Sequence, residues 1–327
     1  MNDDSLARYA DTLRSMIDRR TRALAWKGKS STLRAACAHV LEGGGKRIRG
    51  MLVLLSCRSV GGTVRRSLDA AVAIEAMHDF TLVHDDIMDN ADSRRGRPTV
   101  HKRWNANTAI LAGDVLLGLA YRSLLGCPGD RRGRLVDVFT EGLIDVCDGQ
   151  GMDMELARRT DVSLAEYFAM IEKKTGALIA TSAEMGGLIG GGTPAEVRAL
   201  RKFGHYLGRA FQLQDDLLDV VADEKQLGKP IGGDIVEGKK TFLLISAAGR
   251  AQGADKELID RVLRREVQRD VVGAVTDLFQ RYGILEDAER RILHDTRTAS
   301  RALDALRPSR PVAVLRWLAG ALVHRAS

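Results

Sequence analysis

Two acidic runs in this chain share one spacing. Asp85-Asp86-Ile87-Met88-Asp89 and Asp215-Asp216-Leu217-Leu218-Asp219 lie 130 residues apart. On a helix, the first and last aspartates of such a run share a face. Carboxylates placed this way repel each other, and the macrodipole at a helix C-terminus adds to the repulsion. Apolar residues surround both runs: Phe80, Leu82, Val83, Ile87 and Met88 at the first, Phe211, Leu213, Leu217, Leu218 and Val220 at the second. A solvated acidic helix end fits such surroundings poorly, whereas cations would neutralise the cluster. Hard carboxylate oxygens suit Mg²⁺, which keeps waters and shares its shell with substrate phosphates. One run of this kind is a weak signal, and two in apolar helices are a strong one.

Basic residues fall where a diphosphate would need them. Lys46 and Arg49 follow Gly43-Gly44-Gly45, Arg94 and Arg95 follow the first acidic run, and Lys229, Lys239 and Lys240 follow the second. Arginine offers a fork matched to phosphate oxygens, and lysine a point charge. Singly, each is more often a solubilising surface residue. Their coincidence with the acidic runs favours the ligand reading. His78 lies two helical turns before Asp85 on the same face, and on its own reads as a core residue. His84 and His101 read as structural. No Ser-His-Asp or Cys-His set is evident.

Helices must position these groups. Apolar periodicity and breakers predict helices over 1–25, 46–56, 67–89, 107–125, 135–155, 164–187, 195–222, 241–251, 256–269, 271–282, 286–306 and 311–323. Residues 90–98 and 223–240 read as loops. Strands do not alternate with the helices, which argues against a Rossmann or TIM architecture. No linker composition divides the chain. The expectation is one domain over 1–327.

The net charge of +7 suits phosphates, nucleic acid or a membrane surface, or reflects a solvated basic face. Aromatics are only 5% of residues and do not interleave with basic ones, so stacking on nucleic acid is unsupported. Cys37, Cys57, Cys127 and Cys147 form no CxxC pair and read as reduced cytosolic thiols. The polar, amphipathic start does not read as a secretory leader, and the apolar runs are short for a membrane span. A soluble cytoplasmic protein is expected.

The segments GGGKRIRG, FTLVHDDIMDNADSRRGRPTVH, GQGMD, EKKTGAL, FQLQDDLLDV and LGKPIGGDIVEGKKT occur in the order seen in trans-isoprenyl diphosphate synthases, which the chain resembles from about residue 30 onward. The resemblance implies an all-α bundle of the isoprenoid synthase type, with ten or more helices around a central apolar cavity. It implies a homodimer, and three Mg²⁺ per site with Mn²⁺ as a substitute. Asp85 and Asp89 correspond to direct metal ligands with Asp86 in support, and Asp215 to a ligand with Asp216 and Asp219 in or near its shell. Lys46, Arg49, His78 and Arg95 match the isopentenyl diphosphate site. Arg94, Lys174 and Lys229 match contacts to the allylic diphosphate, and Lys239 joins this substrate-binding set. Thr175 and Gln212 match positions beside the developing carbocation, and Gln150 and Asp153 a further polar pair in the cavity. A terpene cyclase or squalene/phytoene-type synthase lacks the Gly-Lys-x-x-Arg site. A non-catalytic subunit would have eroded acidic motifs, and these are intact.

In the family that the chain resembles, bulky residues just before the first acidic motif floor the cavity. Phe80 lies five residues before Asp85, roughly 7.5 Å along the helix axis. Thr81, the next residue, is small and leaves the floor less closed, while Met77 adds to it. A C20 product is expected, with C15 and C25 as alternatives. Phe80 as plain core packing is the competing reading.

Overall fold

A computed structural model describes residues 3–24, 26–129, 131–222 and 231–323. They are helical apart from turns and one two-stranded ribbon. The expectation of an all-α fold holds. The chain divides into two compact units, one taking in residues 1–143, 181–201 and 303–317, the other 144–180, 202–302 and 318–327.

The first unit is organised on α4 (Val64–Met88). Ala70, Ala71, Val72, Ala73, Ile74, Ala76 and Met77 are all fully buried. A helix apolar on every side belongs in an interior, and its alanines let neighbours approach closely. Around it lie α1 (Asp3–Arg22), α2 (Ser31–Leu41), α3 (Ile48–Ser59) and α6 (Ala106–Leu125). The periodicity reading passed over α2, which Ser30 caps by accepting the Leu33 amide at 3.3 Å. At Gly50, a β-carbon would lie 3.0 Å from Ile17 and 3.1 Å from the Ala71 carbonyl, so glycine sets the approach of α3 to α4.

Arg47, whose side chain is 2% exposed, pairs with Asp18 at 2.9 Å and with Glu75 and Asp79 at 3.5 Å each. Its backbone is left-handed, with φ 51°. Removal from water pushes the Asp79 carboxyl up to about 7, against the pull of Arg47. Arg47 is therefore a core ion, unlike its neighbours Lys46 and Arg49. The segment 90–98 expected as a loop holds a ribbon of β1 (Ser93–Arg94) and β2 (Arg97–Pro98), followed by the single turn α5 (Val100–Arg103).

The second unit contains part of α7 (Arg132–Leu156), α8 (Leu164–Ile171) and much of α10 (Pro194–Val221). Its core includes Tyr167, Leu213, Leu217, Leu243, Ile259, Val275, Phe279 and Ile284. A capping box fixes the start of α8: Ser163 Oγ accepts the Glu166 amide, and Glu166 accepts the Ser163 amide at 2.9 Å. The single helix expected over 164–187 is instead interrupted. Glu172–Gly176 form a π-turn between α8 and α9 (Ala177–Gly190). The loop expected over 223–240 lies partly outside the described residues; its remainder contains the short helix α11 (Gly233–Val236). Beyond it run α12 (Phe242–Arg250), α13 (Gly253–Leu263), α14 (Val272–Arg281), α15 (Ile284–Ala302) and α16 (Arg310–Val323).

Among the described residues, α6 alone is long and apolar enough to cross a membrane, and 44% of that stretch is buried within the protein. On α9, a β-carbon at Gly186 would overlap the Val53 carbonyl and come within 2.6 Å of Ser56. Backbone cannot swing aside as a side chain can. Gly186→Ala should therefore destabilise the protein by roughly 1–3 kcal/mol through overpacking, read as a lower urea midpoint at unchanged m-value.

Candidate active site

In the first unit, the site residues lie at the C-terminal end of α4. Asp85 is half-buried, Asp86 is buried, and Asp89 sits exposed as the C-terminal cap. The apolar surroundings read from sequence thus hold for Asp86 and not for Asp89. Helical geometry turns Asp86 about 100° from Asp85, toward the ribbon. There its Oδ1 accepts a charge-assisted bond from Arg94 Nε at 2.7 Å. Burial raises the Asp86 pKa, and Arg94 opposes the rise. Asp86 therefore anchors Arg94.

The ribbon turns at Arg95 and Gly96, both left-handed, with φ 53° and 72°. Arg95 donates to the Gly44 carbonyl and lies 4.0 Å from Asp79. Gly45, at φ 139°, leaves the Arg95 guanidinium room: a β-carbon there would stand 3.0 Å from it. The triple-glycine loop and the ribbon are joined in this way. Arg49 Nη1 donates to His78 Nε2 at 3.0 Å. Loss of water, then the charges of Arg49, Arg95, Arg94 and Arg47, hold His78 well below its ordinary value. It is neutral, with Nε2 as acceptor. Arg49, His78, Arg94 and Arg95 thus gather beside the first acidic run, and Lys46 is exposed on the loop before α3. A small cavity between α4 and the ribbon is lined by Asp79, Leu82, Asp86, Arg94 and Arg95. Phe80 and Met77 are buried, and Thr81 Oγ1 is turned back to the His78 carbonyl at 2.8 Å.

In the second unit, one cavity collects Asp153, Lys174, Thr175, Gln212, Asp216 and Lys239. A line of hydrogen bonds joins four side chains. Thr175 Oγ1 donates to Gln212 Oε1 at 2.8 Å, Gln212 Nε2 to Asp216 Oδ1 at 2.9 Å, and Tyr167 Oη to Asp216 Oδ2 at 2.7 Å. Desolvation pushes Asp216 up to about 6, while Lys239 draws it down. Lys174 pairs with Asp153 at 2.5 Å, and Lys239 with Asp234 at 3.2 Å. Burial pushes Lys240 down to about 8; its ammonium donates to the Gly238 and Leu263 carbonyls at 2.7 and 3.0 Å. Asp215 is exposed on α10, and Asp219 Oδ2 accepts the Asp234 amide at 2.8 Å. Gln150 is buried on α7. Lys229 lies outside the described residues.

The π-turn carries Lys174 and Thr175. A wider i→i+5 turn reorients side chains within a helix. Two glycines make room for it: a β-carbon at Gly149 would overlap the Lys174 amide, and one at Gly208 would lie 2.6 Å from the Gly176 Cα. Glu172, the first residue of the turn, is held by Arg209 Nη1 at 3.0 Å. Arg209 also bonds the buried Asp295 at 3.1 Å and lies 4.7 Å from the Phe168 ring centre. Sequence reasoning missed Arg209, Asp295, Glu172, Tyr167 and Asp234. Asp234 lies inside a quoted segment, and Tyr167 one helical turn before Ile171, but neither carries a local signature of its partner.

The donor set fits hard divalent cations. Carboxylate oxygens predominate, with Lys and Arg close by to meet phosphate. Among the described residues, no three or more His, Cys, Asp or Glu side chains draw together as a ready cage.

Comparison with known proteins bears on these observations. The family model for polyprenyl synthetase matches residues 30–279. A short chain isoprenyl diphosphate synthase of Methanothermobacter thermautotrophicus is 40% identical over 324 residues, 98% of each chain. The crystal structure of geranylgeranyl pyrophosphate synthetase from Pyrococcus horikoshii superposes with TM-score 0.93 at 36% identity, covering 98% of each chain. A polyprenyl synthase from Caulobacter crescentus, complexed with calcium and isoprenyl diphosphate, superposes with TM-score 0.90 at 27% identity over 99% of this chain and 98% of that one. Other relatives are named for geranylgeranyl and for geranylfarnesyl diphosphate synthesis. With its motifs in order, its helices matched end to end and the family model covering most of its length, this chain belongs to the polyprenyl synthetase family.

Proposed function

We propose that the chain joins isopentenyl diphosphate to an allylic diphosphate, head to tail, and that geranylgeranyl diphosphate (C20) is its main product. The observation that carries this reading is the line Thr175–Gln212–Asp216–Tyr167, set beside Lys174 and Lys239. It offers dipoles to a carbocation, and these oxygens are already engaged with one another, so they stabilise positive charge without trapping it. The relatives named for C20 synthesis support the product length, as does Phe80 before the first motif.

Asp85, Asp89 and Asp215 would hold the divalent ions, with Asp86, Asp216 and Asp219 in support. Mg²⁺, three per site, would supply Lewis-acid neutralisation of the allylic diphosphate as it leaves. Arg94, Lys174, Lys229 and Lys239 would bind that diphosphate. Lys46, Arg49, Arg95 and neutral His78 would bind isopentenyl diphosphate. The allylic C–O bond breaks, and the double bond of isopentenyl diphosphate attacks the cation at the freed carbon. A proton then leaves the carbon next to the new cationic centre for the released diphosphate. The reaction requires an apolar cavity to exclude the water that would otherwise trap the cation.

A homodimer fits the exposed apolar side chains Ile110, Leu111 and Leu125 on α6. Cys37, Cys57, Cys127 and Cys147, in no disulfide, fit a reducing, cytoplasmic setting.

Asp85→Ala or Asp215→Ala should lower turnover by about 10³-fold or more, as expected when a charge-stabilising group is lost, with the far-UV circular dichroism unchanged. Variants with full turnover would exclude the metal assignment. EDTA should abolish extension of labelled isopentenyl diphosphate, and excess Mg²⁺ should restore it; extension in metal-free enzyme would refute the mechanism. Phe80→Ala should yield prenols longer than C20 on chromatography against C15, C20 and C25 standards.

A further inference from the structure

His84 stands immediately before the first acidic motif and was read from sequence as structural. Its ring meets Phe80 edge-on, with centroids 4.7 Å apart and planes at 65°. The two residues are one helical turn apart on α4, so the contact follows from the helix itself. A second element fixes the imidazole. Its Nε2 donates to the Ile110 carbonyl of α6 at 3.2 Å, and Asp114 of α6 lies 4.0 Å away. The ring occupies a notch that only glycine leaves open: a β-carbon at Gly113 would overlap the imidazole. Glycine inside a helix weakens it, so the notch is maintained at the expense of α6.

A helical phenylalanine has two accessible χ1 wells, and χ2 turns within them. Phe80 is 9% exposed and His84 keeps 22% of its side chain accessible, so the phenyl ring is covered from the His84 side. Thr81, the neighbouring small residue, is bonded back to its own helix and supplies no wall of its own.

We infer that His84, seated in the Gly113 notch, is a specificity-determining residue that sets product length by fixing the orientation of Phe80. It does not touch the reacting atoms; it acts through Phe80. The inference rests on the reading of Phe80 as the floor of the product cavity. Without the imidazole edge, the phenyl ring is released and the floor drops by about one helical turn, roughly 5 Å, which is room for about one more C5 unit.

The products of Phe80→Ala, His84→Ala, His84→Gln and the double variant Phe80→Ala/His84→Ala would be dephosphorylated and separated against C15, C20 and C25 standards. His84→Gln retains a donor for the Ile110 carbonyl and loses only the ring, so it serves if the alanine variant does not fold. Both His84 variants should shift the main product beyond C20. The double variant should make products no longer than Phe80→Ala alone, since the two act on one wall. Product length is the readout because a loss of fold stability by itself would lower yield without lengthening the chain. If Phe80→Ala lengthens the product and both His84 variants still stop at C20, the inference is overturned and the floor reading stands. Additive lengthening in the double variant would equally overturn it. If Phe80→Ala itself stops at C20, the floor reading falls and the inference with it.

Discussion

Charge taken out of water has to be met by opposite charge or by hydrogen bonds, and this constraint shapes the molecule around both acidic motifs. In each motif the second aspartate is buried, and in the second motif Asp219 is buried as well. Asp86 is held by Arg94, and Asp216 by Tyr167 and Gln212. The first aspartates, Asp85 and Asp215, are each more accessible than the aspartate that follows them. Helix geometry enforces this division: adjacent residues point about 100° apart, so one carboxylate faces the protein when its neighbour faces outward. The inward aspartate then orders the element beside it, a basic ribbon in one unit and the Thr175–Gln212 pair in the other.

The same constraint explains two further interior ions. Arg47 is surrounded by Asp18, Glu75 and Asp79, and Arg209 by Asp295, Glu172 and the Phe168 ring. Removing one partner from such a set leaves an uncompensated charge, at about 3–5 kcal/mol. Arg47 ties the residues just before α3 to α4. Arg209 ties the first residue of the π-turn to α15. Each braces backbone that carries residues of the proposed site: Arg49 two residues beyond Arg47, Lys174 and Thr175 just beyond Glu172.

Glycine has a second organising role. Gly149 and Gly208 let backbone press against the π-turn, Gly45 admits Arg95, and Gly113 admits His84. In each place the missing side chain makes space for a side chain or for a turn. The helices are therefore specified as much by where they omit bulk as by their apolar stripes.

The amino-acid sequence alone determined the helical class, the extent of most helices and the identity of the acidic and basic groups, because these depend on local periodicity and on residue chemistry. Even so, α2 went unread, since its alanines and single buried leucine make a weak pattern, and the ribbon at Ser93–Pro98 was hidden in a segment rich in Arg and Gly. Tertiary structure decided which aspartates of each motif are buried, that Arg47 is a core ion where Arg49 meets His78, and that the helix after Leu164 opens into a π-turn. Those outcomes depend on partners distant in sequence (Asp295 for Arg209, Gly113 for His84, Tyr167 for Asp216), and local spacing carries no record of what the fold will place alongside.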